Sequence, residues 1–148
     1  MKVKFQYGLA GYTGKADGLV FCYNRRMGNV YARKKGQPKL TENHHKMGAI
    51  TANVLSFKPS NGYKNDLRLY LMRYNSLPEN ADKLTYSWVN LYLKLMYKMA
   101  KMYPEIDLRT ITRDYIYAQN LPCVSVAQTV EYGLLPEVTD WQLLNHLL

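Results

Sequence analysis

The chain has 148 residues, a formal net charge of +9 and 47% hydrophobic residues. This composition is typical of a globular domain with a core and excludes the class of disordered chains. No apolar run reaches about 18 residues without a charge, so we expect no membrane-spanning helix and no membrane partner. The alternating start, residues 1–11, lacks the pattern of a secretory signal. Cys22 and Cys123 stand far apart without metal-ligand spacing, which favours buried thiols over a disulfide.

The charge is unevenly distributed along the chain. Residues 1–50 hold ten Lys/Arg against two acidic residues, residues 51–100 hold seven against three, and residues 101–148 hold three against six. Such an asymmetry indicates either nucleic acid bound at the basic end or neighbouring copies that meet basic end to acidic end.

The N-terminal third predicts β-structure. Residues 2–7 alternate as a short strand, and a glycine-rich arm follows, with Gly8, Gly11, Gly14 and Gly18. The arm is not a phosphate-binding loop, because Lys15 is followed by alanine instead of Ser or Thr. Residues 19–24 and 29–34 predict two strands of a hairpin that turns at Gly28, with Tyr31 as a cross-strand partner for the face of Leu19, Phe21 and Tyr23.

From Leu40 onwards the apolar periodicity is helical. The predicted helices are capped by Thr41, Ser125 and Thr139 or closed by prolines. They cover residues 41–58, 63–77, 82–103, 107–120, 125–132 and 139–148, and residues 60–62 are predicted to form a turn. The sequence therefore predicts a mainly α fold, a multi-helix bundle with an N-terminal Gly-rich arm and a small β-hairpin. Residues 1–39 form the arm and hairpin and residues 40–148 the helical domain, within one compact domain overall.

The predicted helix 82–103 is the central element of this arrangement. About two thirds of its circumference is apolar or aromatic, and the remaining strip is polar. Lys94, Lys98 and Lys101 lie on that strip. Such a stripe is most often a solvated helix face, but in a ring of copies it would line a channel or meet an acidic partner.

No pattern in the sequence indicates catalysis or metal binding. His44 and His45 are adjacent, so on a helix they diverge by about 100° and do not share a metal. His146 is the remaining histidine, and the few carboxylates are scattered. We predict that the protein is not an enzyme and has no cofactor, no metal and no catalytic residue.

Basic and aromatic residues alternate around the predicted hairpin. Cations there could hold phosphates while tyrosines stack on bases; as an alternative, a charged hairpin tip keeps the protein soluble and blocks edge pairing. The candidate contacts to nucleic acid or an acidic partner are Arg25, Arg26, Arg33, Lys34, Lys35 and Lys39.

Fourteen tyrosines are a second unusual feature of the composition. Tyrosine suits interfaces that are buried yet partly wet; the alternative is an aromatic core whose hydroxyls reach its rim. The candidate subunit-interface residues are Tyr7, Tyr12, Tyr23, Tyr31 and Trp141.

The segment from residue 11 to residue 54 resembles a pattern of small structural proteins from crAss-like bacteriophages. The residues that carry the resemblance are Gly14, Lys15, Gly18, Val20, Tyr23, Gly28, Arg33, Pro38 and Thr41. The resemblance implies a virion structural protein, assembled in the host cytoplasm, of the kind that forms a ring as a head-to-tail connector or tail component. It also implies a homo-oligomer, contacts with portal or tail proteins, and non-specific DNA contact.

Two other functions compete with this interpretation. The first is a DNA-binding or DNA-packaging accessory protein that acts as a monomer or dimer through the basic hairpin. The second is a capsid-decorating protein, which would differ from a ring component in symmetry rather than in chemistry.

Overall fold

The computed structural model describes residues 2–4, 13–24, 28–37, 39–81 and 83–148. Contacts between Cα atoms divide the chain into two units, Met1–Leu40 and Thr41–Leu148, which we call the sheet unit and the helical unit. Four predicted site residues lie outside the described residues: Tyr7, Tyr12, Arg25 and Arg26.

The described part of the sheet unit is a four-stranded antiparallel sheet. Its strands are β1 (Lys2–Lys4), β2 (Gly14–Ala16), β3 (Leu19–Asn24) and β4 (Asn29–Lys34), in the order β1-β4-β3-β2. The hairpin strands β3 and β4 have the predicted bounds. The turn between β2 and β3 consists of Asp17 and Gly18, both with positive φ, 44° and 75°. Two residues of this conformation match the twist of the flanking strands, which explains why the glycine-rich segment pairs as a strand here.

The helical unit contains five α-helices in its described residues. They are α1 (Glu42–Ser56), α2 (Asn61–Ser76), α3 (Trp88–Met102), α4 (Arg113–Ala118) and α5 (Val126–Glu131). As predicted, α3 is central: it contacts α1, α2 and the 3₁₀ turn Pro122–Val124. Five of its side chains are buried in one core cluster: Leu91, Tyr92, Leu95, Met96 and Met99.

The central helix begins later than the sequence predicts. It starts at Trp88 instead of residue 82, because the side chain of Asn75 holds the preceding segment in a non-helical conformation. The Asn75 amide donates to the carbonyl of Thr85 (2.6 Å) and accepts from its N–H (3.1 Å). An amide that satisfies both backbone groups of one residue replaces the bonds that a helix would give that residue.

Two other predicted helices are also shorter than their periodicity indicates. The segment before α4 is a turn, since Asn53 donates to the carbonyls of Leu108 and Ile111, at 2.9 Å each. Near the C-terminal end of the chain only Trp141–Leu143 forms a 3₁₀ turn. After this turn Leu147 forms a β-bridge with Ser125, which extends the chain and ends the helical pattern.

The predicted fold class is therefore wrong. The protein has a mixed fold, a small antiparallel sheet together with five helices, and not a multi-helix bundle with a hairpin. The physical reason is twofold. Short edge strands extend the hairpin into a sheet, and side-chain amides cap backbone groups in segments whose apolar spacing alone would allow a helix.

Candidate nucleic-acid interface

The structure separates the predicted basic cluster. Arg33 and Lys34 are consecutive residues of β4, so their side chains point to opposite faces of the sheet. Lys35 follows the strand, and its N–H donates to the carbonyl of Gly18 at 2.7 Å. Lys39 is exposed beyond the strand. The described members of the cluster therefore do not form one patch.

The two faces of the sheet differ in burial. Phe21 lies opposite Ala32 and Tyr23 lies opposite Val30, and residues directly opposite each other share a face. Ala32 and Val30 are only 2% and 4% exposed. We call this side the covered face; it consists of Leu19, Phe21, Tyr23, Val30, Ala32 and Lys34.

The other side of the sheet has no buried member among its described side chains. Tyr31 lies opposite Cys22, Arg33 lies opposite Val20, and Val20 lies opposite Lys15 on β2. Lys15 and Arg33 are exposed, and the other three are half-buried. We call this side the open face; it consists of Lys15, Val20, Cys22, Tyr31 and Arg33. The predicted pairing of Tyr31 with the face of Tyr23 is wrong, because the register places these two tyrosines on opposite faces.

Lys15 is a site candidate that the sequence interpretation missed. The sequence interpretation relates Lys15 to a phosphate loop and to the phage resemblance but not to the basic cluster, whereas the structure places it on an edge strand in register with Val20. The Asp17-Gly18 pair is a strong hairpin signal and could have placed Lys15 in a strand before the structure was known.

The two units of the chain differ strongly in net charge. The sheet unit, Met1–Leu40, contains nine Lys/Arg and a single acidic residue, Asp17, and thus carries +8. The helical unit contains eleven Lys/Arg and ten acidic residues, and thus carries +1. Almost the whole net charge therefore belongs to the sheet unit, Met1–Leu40.

The lysine stripe on α3 is not uniform. The ammonium of Lys98 donates to the carbonyl of Leu134 at 2.5 Å. Partial burial, and then the neighbouring charge of Lys94, lower the pKa of Lys98. Lys94 and Lys101 are exposed. Lys98 thus fixes the loop after α5, and two members of the stripe remain available for other contacts.

Several tyrosines of the helical unit belong to its core. Tyr63, Tyr70 and Tyr92 are at most 1% exposed. Their hydroxyls donate to the carbonyls of Cys123 (3.1 Å), Pro136 (2.8 Å) and Val54 (3.3 Å), respectively. Trp141, a predicted interface residue, is half-buried against the same core. These aromatic residues fit the alternative of an aromatic core.

An apolar patch remains exposed on the helical unit beside α2. Met72 is 69% exposed and Tyr86 is 53% exposed. Together with Trp88 and Arg68 they line a depression of about 350 Å³. Aromatic residues, methionine and arginine are the types enriched where protein surfaces meet. We call the set Arg68, Met72, Tyr86 and Trp88 the α2 patch.

Asp66 and His146 form the one histidine–carboxylate pair among the described residues. Asp66 is 2% exposed, and its carboxylate accepts from the backbone N–H of His146 at 3.0 Å. The imidazole Nδ1 lies 3.0 Å from both carboxylate oxygens. The pair ties the C-terminal segment to α2. In the parts of the chain that the structure describes, no group of three or more His, Cys, Asp or Glu side chains is placed to hold a metal ion.

Comparisons with protein-family models, with curated protein sequences and with solved structures give no match for this chain. None of the helices in the described ranges is both long enough and apolar enough to cross a membrane.

Proposed function

We propose that this protein is a bacteriophage virion structural component that forms a ring, as a head-to-tail connector or tail component does. The observation that carries the proposal is the separation of charge, +8 on the sheet unit against +1 on the helical unit. A subunit that surrounds a DNA channel needs a basic part that faces the negatively charged DNA and a near-neutral part that packs against neighbouring subunits. The resemblance over residues 14–41 supplies the virion context.

The α2 patch supports the assembly part of the proposal. Exposed apolar and aromatic side chains around a depression indicate contact with another protein surface. When such a patch meets a different surface of the next copy, the interface is heterologous, and repetition around an axis closes a ring. The partners in this proposal are further copies of the chain, together with portal or tail proteins.

A second candidate is a DNA-binding or packaging accessory that acts as a monomer or dimer. The strongly basic sheet favours it, because a sequence-independent phosphate contact requires little more than clustered cations. A capsid-decorating protein is the third candidate and differs from the first in the symmetry of the assembly.

Light scattering of the purified chain at low and high salt, with and without duplex DNA, tests the proposal. A discrete large oligomer that is independent of DNA supports the ring component, and electron microscopy of the same sample then gives its symmetry. A monomer or dimer that binds DNA with a steep salt dependence supports the accessory protein instead and overturns the ring.

A pair of matched variants tests the interface. Met72→Glu places a charge in the α2 patch and is expected to reduce the oligomer to smaller species. Met47→Glu is the control, since Met47 is 58% exposed on α1, outside the patch. If both variants leave the oligomer intact, the α2 patch is not the subunit interface.

A further inference from the structure

We infer that the open face of the sheet binds the phosphodiester backbone of nucleic acid. This inference assigns a surface and a ligand chemistry to the nucleic-acid contact included in the proposed function, and it rests on that contact and not on ring formation. It departs from the sequence interpretation in two ways: it adds Lys15 and it removes Lys34.

The register of the strands supplies the first argument. One row across the sheet reads Lys2, Arg33, Val20 and Lys15, one position from each of the four strands. Adjacent strands lie about 4.8 Å apart. The backbone positions of Arg33 and Lys15 are therefore separated by two strand spacings, roughly 10 Å. Among the described side chains of this row, Arg33 and Lys15 are both basic, so two cations stand in line across the sheet with Val20 between them.

The second argument is the environment of these cations. Arg33 and Lys15 are exposed, and the next row along the open face contains Tyr31, opposite Cys22. Cations that follow a backbone, combined with an aromatic side chain beside them, are the usual composition of surfaces that bind nucleic acid without sequence preference. The covered face is different, because Val30 and Ala32 are buried there.

The third argument is the absence of compensating charge in the sequence of the sheet unit. Asp17, its single acidic residue, lies in the turn between β2 and β3, at the end of the strands. A ligand with closely spaced phosphates gains from releasing condensed counterions at each contact. A polyanion therefore matches a charge of +8 better than an acidic protein surface, whose carboxylates are fewer and are mixed with cations.

The test uses two neighbouring residues of one strand. Arg33→Glu and Lys34→Glu make the same charge change at exposed, consecutive positions, but on opposite faces of the sheet. Affinity of the full chain is measured by fluorescence anisotropy at about 50 and about 200 mM salt, on single strands and duplexes of about 20 nucleotides. Lys15→Glu provides a second open-face variant on another strand, in case one substitution disturbs the fold.

We expect Arg33→Glu and Lys15→Glu each to weaken binding about tenfold. Each variant should also reduce the steepness of log affinity against log salt concentration by about one or two, which corresponds to the loss of one or two phosphate contacts. We expect Lys34→Glu to change the affinity by no more than about twofold or threefold. If the single strand binds more tightly than the duplex, bases stack on the open face. If the duplex binds as tightly as the single strand or more tightly, the open face contacts the phosphates alone. Both results support a phosphodiester ligand.

Two results would overturn the inference. If Lys34→Glu weakens binding as much as Arg33→Glu, the interaction is diffuse and the open face is not the site, although nucleic-acid binding itself stands. If the wild-type protein binds anionic phospholipid vesicles but neither nucleic acid, the ligand class is wrong. Ring formation is measured separately by light scattering, so its failure is distinguishable from the failure of this surface.

Discussion

Replacing Gly62 by alanine tests how firmly the C-terminal segment is held against α2. Gly62 is the second residue of that helix. A Cβ atom there would lie 2.4 Å from Cδ2, 2.7 Å from Cγ and 3.0 Å from Cβ of His146. Contacts this short do not occur in folded proteins, and the atoms involved include the base of the side chain. The ring would therefore have to move together with its backbone.

The expected free-energy change combines three contributions. Alanine is favoured over glycine by up to about 1 kcal/mol inside a helix. Displacing His146 would weaken the hydrogen bonds to the buried carboxylate of Asp66, which costs about 1.5–3 kcal/mol for a charged group. Overpacking adds about 1–3 kcal/mol. We expect Gly62→Ala to lower the free energy of unfolding by about 1.5–5 kcal/mol.

Urea unfolding followed by far-UV circular dichroism measures this change, because the described helices all lie in the helical unit. Gly48→Ala in the middle of α1 is the matched control. No atom lies within 4 Å of its added Cβ, so this variant should be stabilised by about 0.5–1 kcal/mol. In a His146→Ala background only the 3.0 Å contact with the Cβ of residue 146 remains, so Gly62→Ala should destabilise the protein much less there. Equal stabilisation by both glycine replacements would refute the packing argument.

Two further predictions concern cysteine and tyrosine. Cys123 is fully buried, and burial raises the pKa of its thiol to about 12, whereas Cys22 is half-buried in the sheet. A thiol reagent at neutral pH should therefore label Cys22 first, as checked by mass spectrometry; equal rates would contradict the described burial. Burial also raises the pKa of three tyrosines above the ordinary value of 10.0: Tyr63, Tyr70 and Tyr92. A raised pKa means that their contribution to stability is complete below about pH 10 and is lost as the pH rises further, by up to about 1.4 kcal/mol per pH unit for each tyrosine. Urea midpoints measured from about pH 8 to about pH 11 should fall above about pH 10, and a flat profile would show that these hydroxyls are not buried.

The sequence by itself determined the elements whose signals are local. Strands β3 and β4 follow from the β-rich runs on either side of Gly28, and their bounds are the predicted ones. Thr41 and Ser125 directly precede α1 and α5, and the side-chain oxygen of Ser125 accepts from the N–H of Gln128 at 3.2 Å, as its capping spacing predicts. Turn residues and caps act within three or four positions, so a single sequence contains the information they need.

The tertiary structure decided which periodic segments became helices. Residues 83–87 continue the apolar spacing of α3, but the amide of Asn75 binds the backbone of Thr85 and keeps them out of the helix. The last residues continue the spacing of a helix as well, yet the carbonyl of Leu147 accepts from the hydroxyl of Ser60 at 2.6 Å, and the N–H of Leu148 donates to Val124 at 2.9 Å. These partners are distant in sequence, so periodicity alone does not reveal them.

In the candidate nucleic-acid interface, too, one part was determined by the sequence and another part only by the tertiary structure. The sequence indicates that the N-terminal third is basic, but it assigns Arg33 and Lys34 to one cluster because they are adjacent. The pairing of four strands places these two residues on opposite faces and brings Lys15 and Arg33 into one row. Net charge is a sum over residues and can be read from the sequence, whereas a charged surface depends on register, which forms only when the strands pair.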